Sequence, residues 1–391
     1  MESLVNPNIL QISPYIPGKP VEEIQREFNL GKVVKLASNE NMLPIPENVR
    51  KAINDELSQV HCYPDSDNYY LRQRLAVING LQPEQVIVGA GSVEIIHMLI
   101  RTFLKAGEKV LTSEKTFSLY KIATTEFAGQ ASYLETPMDE NLCFDLEAMA
   151  RRIDGQTKII FITNPNNPTG TFVPAAAIRQ FIKKVPKDKI IVLDNAYQEY
   201  FDNPDDYVTG LDEIQAGKNV IVLKTFSKVY GLAGLRVGYA MAKPEIISLL
   251  GRVKAPFNVT RIGQRAALAS LENDDYKNHS ISLNKANKAK LLGQMQSMGL
   301  RVIPSQANFL LFFPKMDVAE LNLCLLKEGV IIRPTAGFGI PEGMRVTVGL
   351  EEDNEFFIKK LKKVLLNPAK LQSPLQGGIR TFRNKLSTKK T

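Results

Sequence analysis

Four polar residues of different chemistry, Ser92, Asn167, Asp194 and Lys228, each follow or close an apolar run. The runs are "QVIVGA" (85–90), "TKIIFIT" (157–163), "KIIVLD" (189–194) and "NVIVLK" (219–224). Open parallel sheets hold ligands outside the carboxyl ends of their strands, so these four ends could meet at one crevice. It would contain a serine on a glycine turn, an amide, a carboxylate and a lysine, with Tyr197 and Arg236 close behind. Such a set can hold an anion, balance a cation, and supply a nucleophile where the surroundings favour a neutral lysine. Each residue also has a plainer reading. "GAGS" (89–92) fits a tight turn as well as a phosphate-binding helix start, and no GK[ST] follows to make it a P-loop. "NPNNPTG" (164–170) fits a proline-rich turn, Asp194 a helix cap, Arg236 a partner for a surface acid, and Lys228 a solvated charge. Their joint occurrence at compatible strand ends favours a site.

Positioning these residues requires a sheet covered on both faces. The strand candidates, which include "KVLTS" (109–113) and "RVGYAM" (236–241), are mostly apolar on consecutive positions, as helices on both faces would demand. Helix-like segments such as 92–104 and 173–185 lie between them. The alternation predicts an α/β unit with a mostly parallel central sheet. Beyond about residue 266 come a long polar-faced helical stretch (274–298), "VIPSQANFLLFFP" (302–314), a helix-like 317–330, "MRVTVGL" (344–350) and a last helix over 352–366. This reads as a smaller α+β domain, completed by part of the N-terminus. Three prolines in "SPYIPGKP" (13–20) predict an extended arm. The expected organisation is an arm and part of the small domain over 1–45, a large domain over 46–265, a small domain over 266–366 and a tail over 367–391.

The chain has 391 residues, 44% hydrophobic and 23% charged, a globular balance in a length that exceeds one ordinary core. No apolar stretch approaches about 20 residues, which excludes a membrane-spanning helix. "MESLVNPNIL" lacks the layout of a signal peptide. Cys62, Cys143 and Cys324 form no CxxC and cannot all pair, which points to reduced thiols in a cytoplasmic protein. His61, His97 and His279 are too scattered to suggest a metal site. The net charge is +8, yet Lys370, Arg380, Arg383, Lys385, Lys389 and Lys390 supply six of it after the last acid, leaving +2 elsewhere. That end reads as a flexible basic tail, and no nucleic-acid partner is expected for the protein, through the tail or elsewhere.

In order and spacing, "TNPNNPTG" (163–170), "VLDNAYQEY" (192–200) and "TFSKVYGLAGLRVGY" (225–239) resemble the motifs of pyridoxal-phosphate aminotransferases of the aspartate-aminotransferase superfamily. "PYIPGKPVEEIQREFNL" (14–30), "KLASNENML" (35–43), "YPD" (63–65), "NFLL" (308–311), "GVIIRPTAGFG" (329–339) and "RVTVGLEEDN" (345–354) narrow the resemblance to the histidinol-phosphate aminotransferase group. It covers almost the whole chain. It implies the α/β fold type I, with a large cofactor-binding domain and a smaller α+β domain. By the same resemblance Lys228 condenses with the cofactor aldehyde and then carries the proton at Cα. Asp194 would keep the pyridine nitrogen protonated, Asn167 and Tyr197 would meet the phenolic oxygen, and Phe117 would stack on the ring. Ser92, Val93, Ser227 and Arg236 would hold the phosphate, with Tyr63 reaching the neighbouring site of a homodimer. Tyr15, Asn167, Arg333 and Arg345 would meet the substrate. The implied reaction passes an amino group from histidinol phosphate to 2-oxoglutarate, giving imidazole-acetol phosphate and glutamate in histidine biosynthesis.

Three positions depart from the family pattern. Asn195 follows the cofactor aspartate where Glu is frequent, Met42 stands in "NENML" for a common proline, and Val93 offers only its backbone amide. These bear on substrate preference more than on cofactor use. Related scaffolds act on aromatic amino acids or decarboxylate a phosphothreonine-type substrate, and a non-catalytic binding protein is a further alternative.

Overall fold

The structure, a computed structural model, describes residues 2–13 and 18–366. Tyr15 in the expected arm and the whole basic tail lie outside the described residues. Seven strands form the larger sheet, in the order Val86–Gly89, Gly238–Met241, Val220–Thr225, Ile190–Asp194, Thr157–Thr163, Lys109–Ser113 and Tyr133–Thr136. Gly238–Met241 is antiparallel to both its neighbours; every other adjacent pair is parallel.

The consecutive apolar residues of the strands are divided between two cores. Ile159, Phe161, Val192 and Ile221 pack on one face, while Ile160, Ile162, Leu193 and Val222 pack on the other. Each such side chain contributes about 1.5–3 kcal/mol on burial, so polar chemistry is displaced to the strand ends. Register then levels those ends, because Thr163 pairs with Asp194 and Asp194 with Leu223. At the sheet edge Gly89 pairs with Gly238, which sets the turn before helix Gly91–Phe103 beside the Arg236 turn.

The second sheet is antiparallel, with the order Arg333–Pro334, Met344–Thr347, Phe309–Phe313 and Arg301–Ile303. Helices Asp274–Ser297, Val318–Lys327 and Glu351–Leu366 share its core through Leu291, Leu325 and Phe357. Val34–Lys35 pairs in parallel with Val330–Ile331, and Thr347 N–H donates to the Leu36 carbonyl at 2.9 Å. The N-terminal segment is thus fastened to the second sheet just before residues 37–41. The expected boundary at 265/266 falls inside helix Arg261–Ser270, which packs on helix Glu47–Leu57. Among the described residues no helix is long and apolar enough to cross a membrane.

One local detail corrects the sequence expectation and two add to it. The strand expected over 236–241 begins at Gly238, because Arg236 adopts a left-handed backbone with φ 53° after the turn Ala233–Leu235. Tyr133–Thr136 adds an unexpected edge strand; its mixed burial gave no apolar run to detect. The segment 302–314 contains two strands, separated at 304–308.

Candidate active site

At the carboxyl edge of the larger sheet lies a cleft of about 380 Å³. It gathers Ser92, Val93, Phe117, Asn167, Asp194, Tyr197, Ser227, Lys228, Arg236, Arg333 and Arg345. Of the residues expected from sequence, Tyr63 does not line it and Tyr15 is outside the described residues. Tyr63 is instead 78% exposed, with its ring stacked on Phe257 at 4.6 Å.

One end of the cleft is built for an anion. Gly91 has φ +76°, and a Cβ there would come within 2.5 Å of Arg236 Nη2. Glycine therefore lets the guanidinium lie against the start of helix Gly91–Phe103, whose first amides have no partner within the helix. Arg236 Nη1 donates to Ser227 Oγ at 3.3 Å and to the Ala233 carbonyl at 3.1 Å, which fixes it there. A Cβ on Gly238 would meet the Ser92 amide nitrogen at 2.4 Å, so the sheet can approach this turn only at a glycine.

A buried carboxylate stands elsewhere in the cleft. Asp194 is 3% exposed; its Oδ2 accepts from the Tyr120 hydroxyl at 2.6 Å and its Oδ1 from the Ala196 amide at 3.2 Å. Burial pushes its pKa up, against the opposing pull of these two donors and the Lys228 charge. Asn195 turns away from the cleft and donates to the Thr209 carbonyl at 3.1 Å.

Lys228 is partly buried, and its ammonium is pushed down to about 8, first by burial and then by the nearby Arg345 and Arg236 charges. Its Nζ lies 3.3 Å from the Ser38 carbonyl and 5.6 Å from the centre of the Tyr197 ring. The residues on either side of Ser38 also reach the site. Arg345 Nη2 donates to the Ala37 carbonyl at 2.9 Å, and Asn39 Nδ2 donates to the Tyr197 hydroxyl at 2.9 Å. Asn39 is buried with φ +55° and is held by Thr347 Oγ1 and Asn308 Nδ2. Sequence alone assigned no role to Asn39 or Tyr120. "KLASNENML" marked the first position, whereas Tyr120 had no signal beyond helical core spacing.

Arg333 and Arg345 are directly opposite each other on adjacent antiparallel strands, so they project from the same sheet face into the cleft. Arg345 is 5% exposed, donates to Asn167 Oδ1, and lies over the Phe309 and Phe338 rings at 5.2 and 5.4 Å. Arg333 lies over Phe338 at 5.7 Å. Like charges placed opposite on a sheet cost stability; an anion between them would turn that cost into binding.

Residues 31–361 match the family model "Aminotransferase class I and II". The chain is 42% identical over 363 residues to the histidinol-phosphate aminotransferase of Anaeromyxobacter sp., covering 93% of this chain and 99% of that one. With the histidinol-phosphate aminotransferase of Caldicellulosiruptor saccharolyticus it shares 44% identity over 359 residues, 91% of this chain and 99% of the relative. The crystal structure of histidinol-phosphate aminotransferase from Sinorhizobium meliloti in complex with pyridoxal-5'-phosphate has the same fold. Its TM-score is 0.85 at 24% identity, covering 94% of this chain and 99% of that chain.

Proposed function

The chain belongs to the class I and II aminotransferases, and from that premise we propose that it transfers an amino group from histidinol phosphate to 2-oxoglutarate with pyridoxal phosphate as cofactor. One observation carries the substrate assignment: Arg333 and Arg345 stand side by side on adjacent strands and both enter the cleft that also holds Lys228 and Asp194. The names of the relatives, at 42% and 44% identity, support the same reading.

The residues present fit the cofactor. When bound, pyridoxal phosphate supplies an aldehyde for amine exchange and a protonated ring that accepts the electron pair released at Cα. Its phosphate suits the cradle that Gly91 leaves open beneath Arg236, with Ser227 and the amides of Ser92 and Val93 as further donors. Asp194 offers a carboxylate to the ring nitrogen, Asn167 and Tyr197 offer donors to the phenolic oxygen, and Phe117 provides a face for the ring. Lys228, whose lowered pKa of about 8 gives it a far larger neutral fraction than an ordinary lysine has, would serve as nucleophile and then move the proton at Cα. Arg345 would hold the α-carboxylate of glutamate, and both arginines the dianionic phosphate of histidinol phosphate. We read the seven-stranded sheet with its helices, through helix Arg261–Ser270, as the cofactor-binding domain, so that the boundary expected at 265/266 moves to the end of that helix. The remainder to 366, with the N-terminal segment, is the smaller domain.

Phenylalanine presents a single carboxylate and leaves Arg333 without a substrate anion. Losing a charge-assisted hydrogen bond costs roughly 1.5–3 kcal/mol, or about tenfold to a hundredfold. Arg333→Ala should therefore lower kcat/KM for histidinol phosphate by that factor while changing it little for phenylalanine. A donor panel with coupled detection of glutamate measures this. Equal losses for both donors, a wild-type preference for phenylalanine, or carbon dioxide release without keto acid would overturn the assignment.

We also propose a homodimer, in the cytoplasm. Val60, Tyr63, Tyr69, Tyr70 and Phe257 are all exposed apolar or aromatic residues, suited to a second copy of the chain. The cytoplasmic placement rests on Cys62, Cys143 and Cys324 being free thiols. If Tyr63 serves the neighbouring site, a hybrid of Lys228→Ala and Tyr63→Phe subunits gains one intact site and one doubly damaged site. Mixed subunits should then exceed the activity of either parent homodimer. Verified hybrids with no such gain would refute the sharing.

A further inference from the structure

Tyr120 is the second residue of helix Leu119–Ala128 and is fully buried. Its ring stacks on Phe161 at 4.2 Å and meets the edge of Phe117 at 5.6 Å. A phenylalanine would fill this space without burying a hydroxyl. Here the hydroxyl has two partners, Asp194 Oδ2 at 2.6 Å and Thr163 Oγ1 at 2.8 Å. Thr163 and Asp194 are themselves paired across adjacent strands, so the sheet register brings both of the hydroxyl's partners together. Burial holds the Tyr120 hydroxyl well above the usual tyrosine range, so it stays a donor at any working pH. An O–H donor to a carboxylate favours its charged form.

We propose that Tyr120 is a positioning residue for the reaction: its hydroxyl fixes the Asp194 carboxylate and keeps it the unprotonated member of the pair it forms with the ring nitrogen. This rests on the reading of Asp194 as the partner of that nitrogen. Without the donor, the shared proton moves from the ring toward Asp194, and the ring becomes a poorer acceptor of the Cα electron pair. Phe117 packs against Tyr120, so the same side chain also backs the residue read as the ring's stacking face.

The test is reconstitution of wild-type and Tyr120→Phe enzyme with pyridoxal phosphate carrying ¹⁵N in the ring. The expected wild-type shift is that of a protonated pyridine, and Tyr120→Phe should move it toward the neutral value. The turnover number should fall roughly tenfold to a hundredfold, the factor a charge-assisted hydrogen bond supports, with KM little changed. Thr163→Val, which keeps both Tyr120 and Asp194, should give a smaller shift in the same direction and covers the case that Tyr120→Phe does not fold. A folded variant of either kind with the wild-type shift, even one with a lowered melting temperature, makes the role merely structural and overturns the inference. A wild-type nitrogen at the neutral value overturns the Asp194 reading and this inference with it.

Discussion

Lys228→Ala is expected to abolish transamination, lowering the single-turnover rate with glutamate by at least about 10⁴-fold, the upper range for a positioned proton-transfer group. Among the described residues lining the cleft, Lys228 is the one lysine, so no neighbour can take over as nucleophile and proton carrier. The fold should survive, because the side chain's one hydrogen bond is a 3.3 Å contact to the Ser38 carbonyl. Far-ultraviolet circular dichroism and a melting curve check that point beside the kinetics. A folded variant within tenfold of wild type would exclude the assignment. The same lysine sets a pH dependence. With a pKa pushed down to about 8, the neutral, nucleophilic fraction reaches one half near pH 8 and levels off above about pH 9. Cofactor capture by the apoenzyme should follow that curve. An ordinary lysine, titrating near 10.4, would instead let the rate keep rising beyond pH 10. A rate with no midpoint near 8, still climbing beyond about pH 10, would show that burial and the two arginines do not control this amine.

The sequence made the sheet legible for a physical reason that also limits what it made legible. Ile159 to Ile162 are apolar in succession because both faces of the strand are covered, and that pattern survives in one dimension. Asp194 and Lys228 were visible because each stands at or just past the end of such an apolar run, where core packing does not call for a charge. Arg236 reads as a strand residue in the sequence because its left-handed backbone, φ 53°, depends on the turn before it rather than on its own type. Tyr120 looked like any aromatic residue on a buried helix face; only folding brings it 2.6 Å from a carboxylate 74 positions away. The pairing of Arg333 with Arg345 was equally hidden. The connection between their strands is long, so its sequence does not set the register as a two-residue hairpin would.

That hidden pairing governs the second large effect. Arg345 is buried and already committed to the Ala37 carbonyl and Asn167 Oδ1, so its guanidinium is presented to the cleft in a fixed orientation. Fixing a planar fork in advance leaves little rotamer entropy to lose when a carboxylate or phosphate arrives. Removing it takes away that contact and also releases Asn167, which the cofactor reading needs on the phenolic oxygen. Truncating one partner of a buried charge pair costs about 2–5 kcal/mol, or roughly thirtyfold to several thousandfold. Arg345→Ala should therefore lower kcat/KM by that factor for histidinol phosphate, glutamate and phenylalanine alike, in contrast to the selective loss on Arg333→Ala. The two variants together separate a shared anchor from a specificity contact. Arg345→Lys keeps the charge but loses the fork, and should recover only a small part of the loss. If Arg345→Ala spared phenylalanine while Arg333→Ala did not, the two arginines would have exchanged roles, and the anchor would lie on strand Arg333–Pro334.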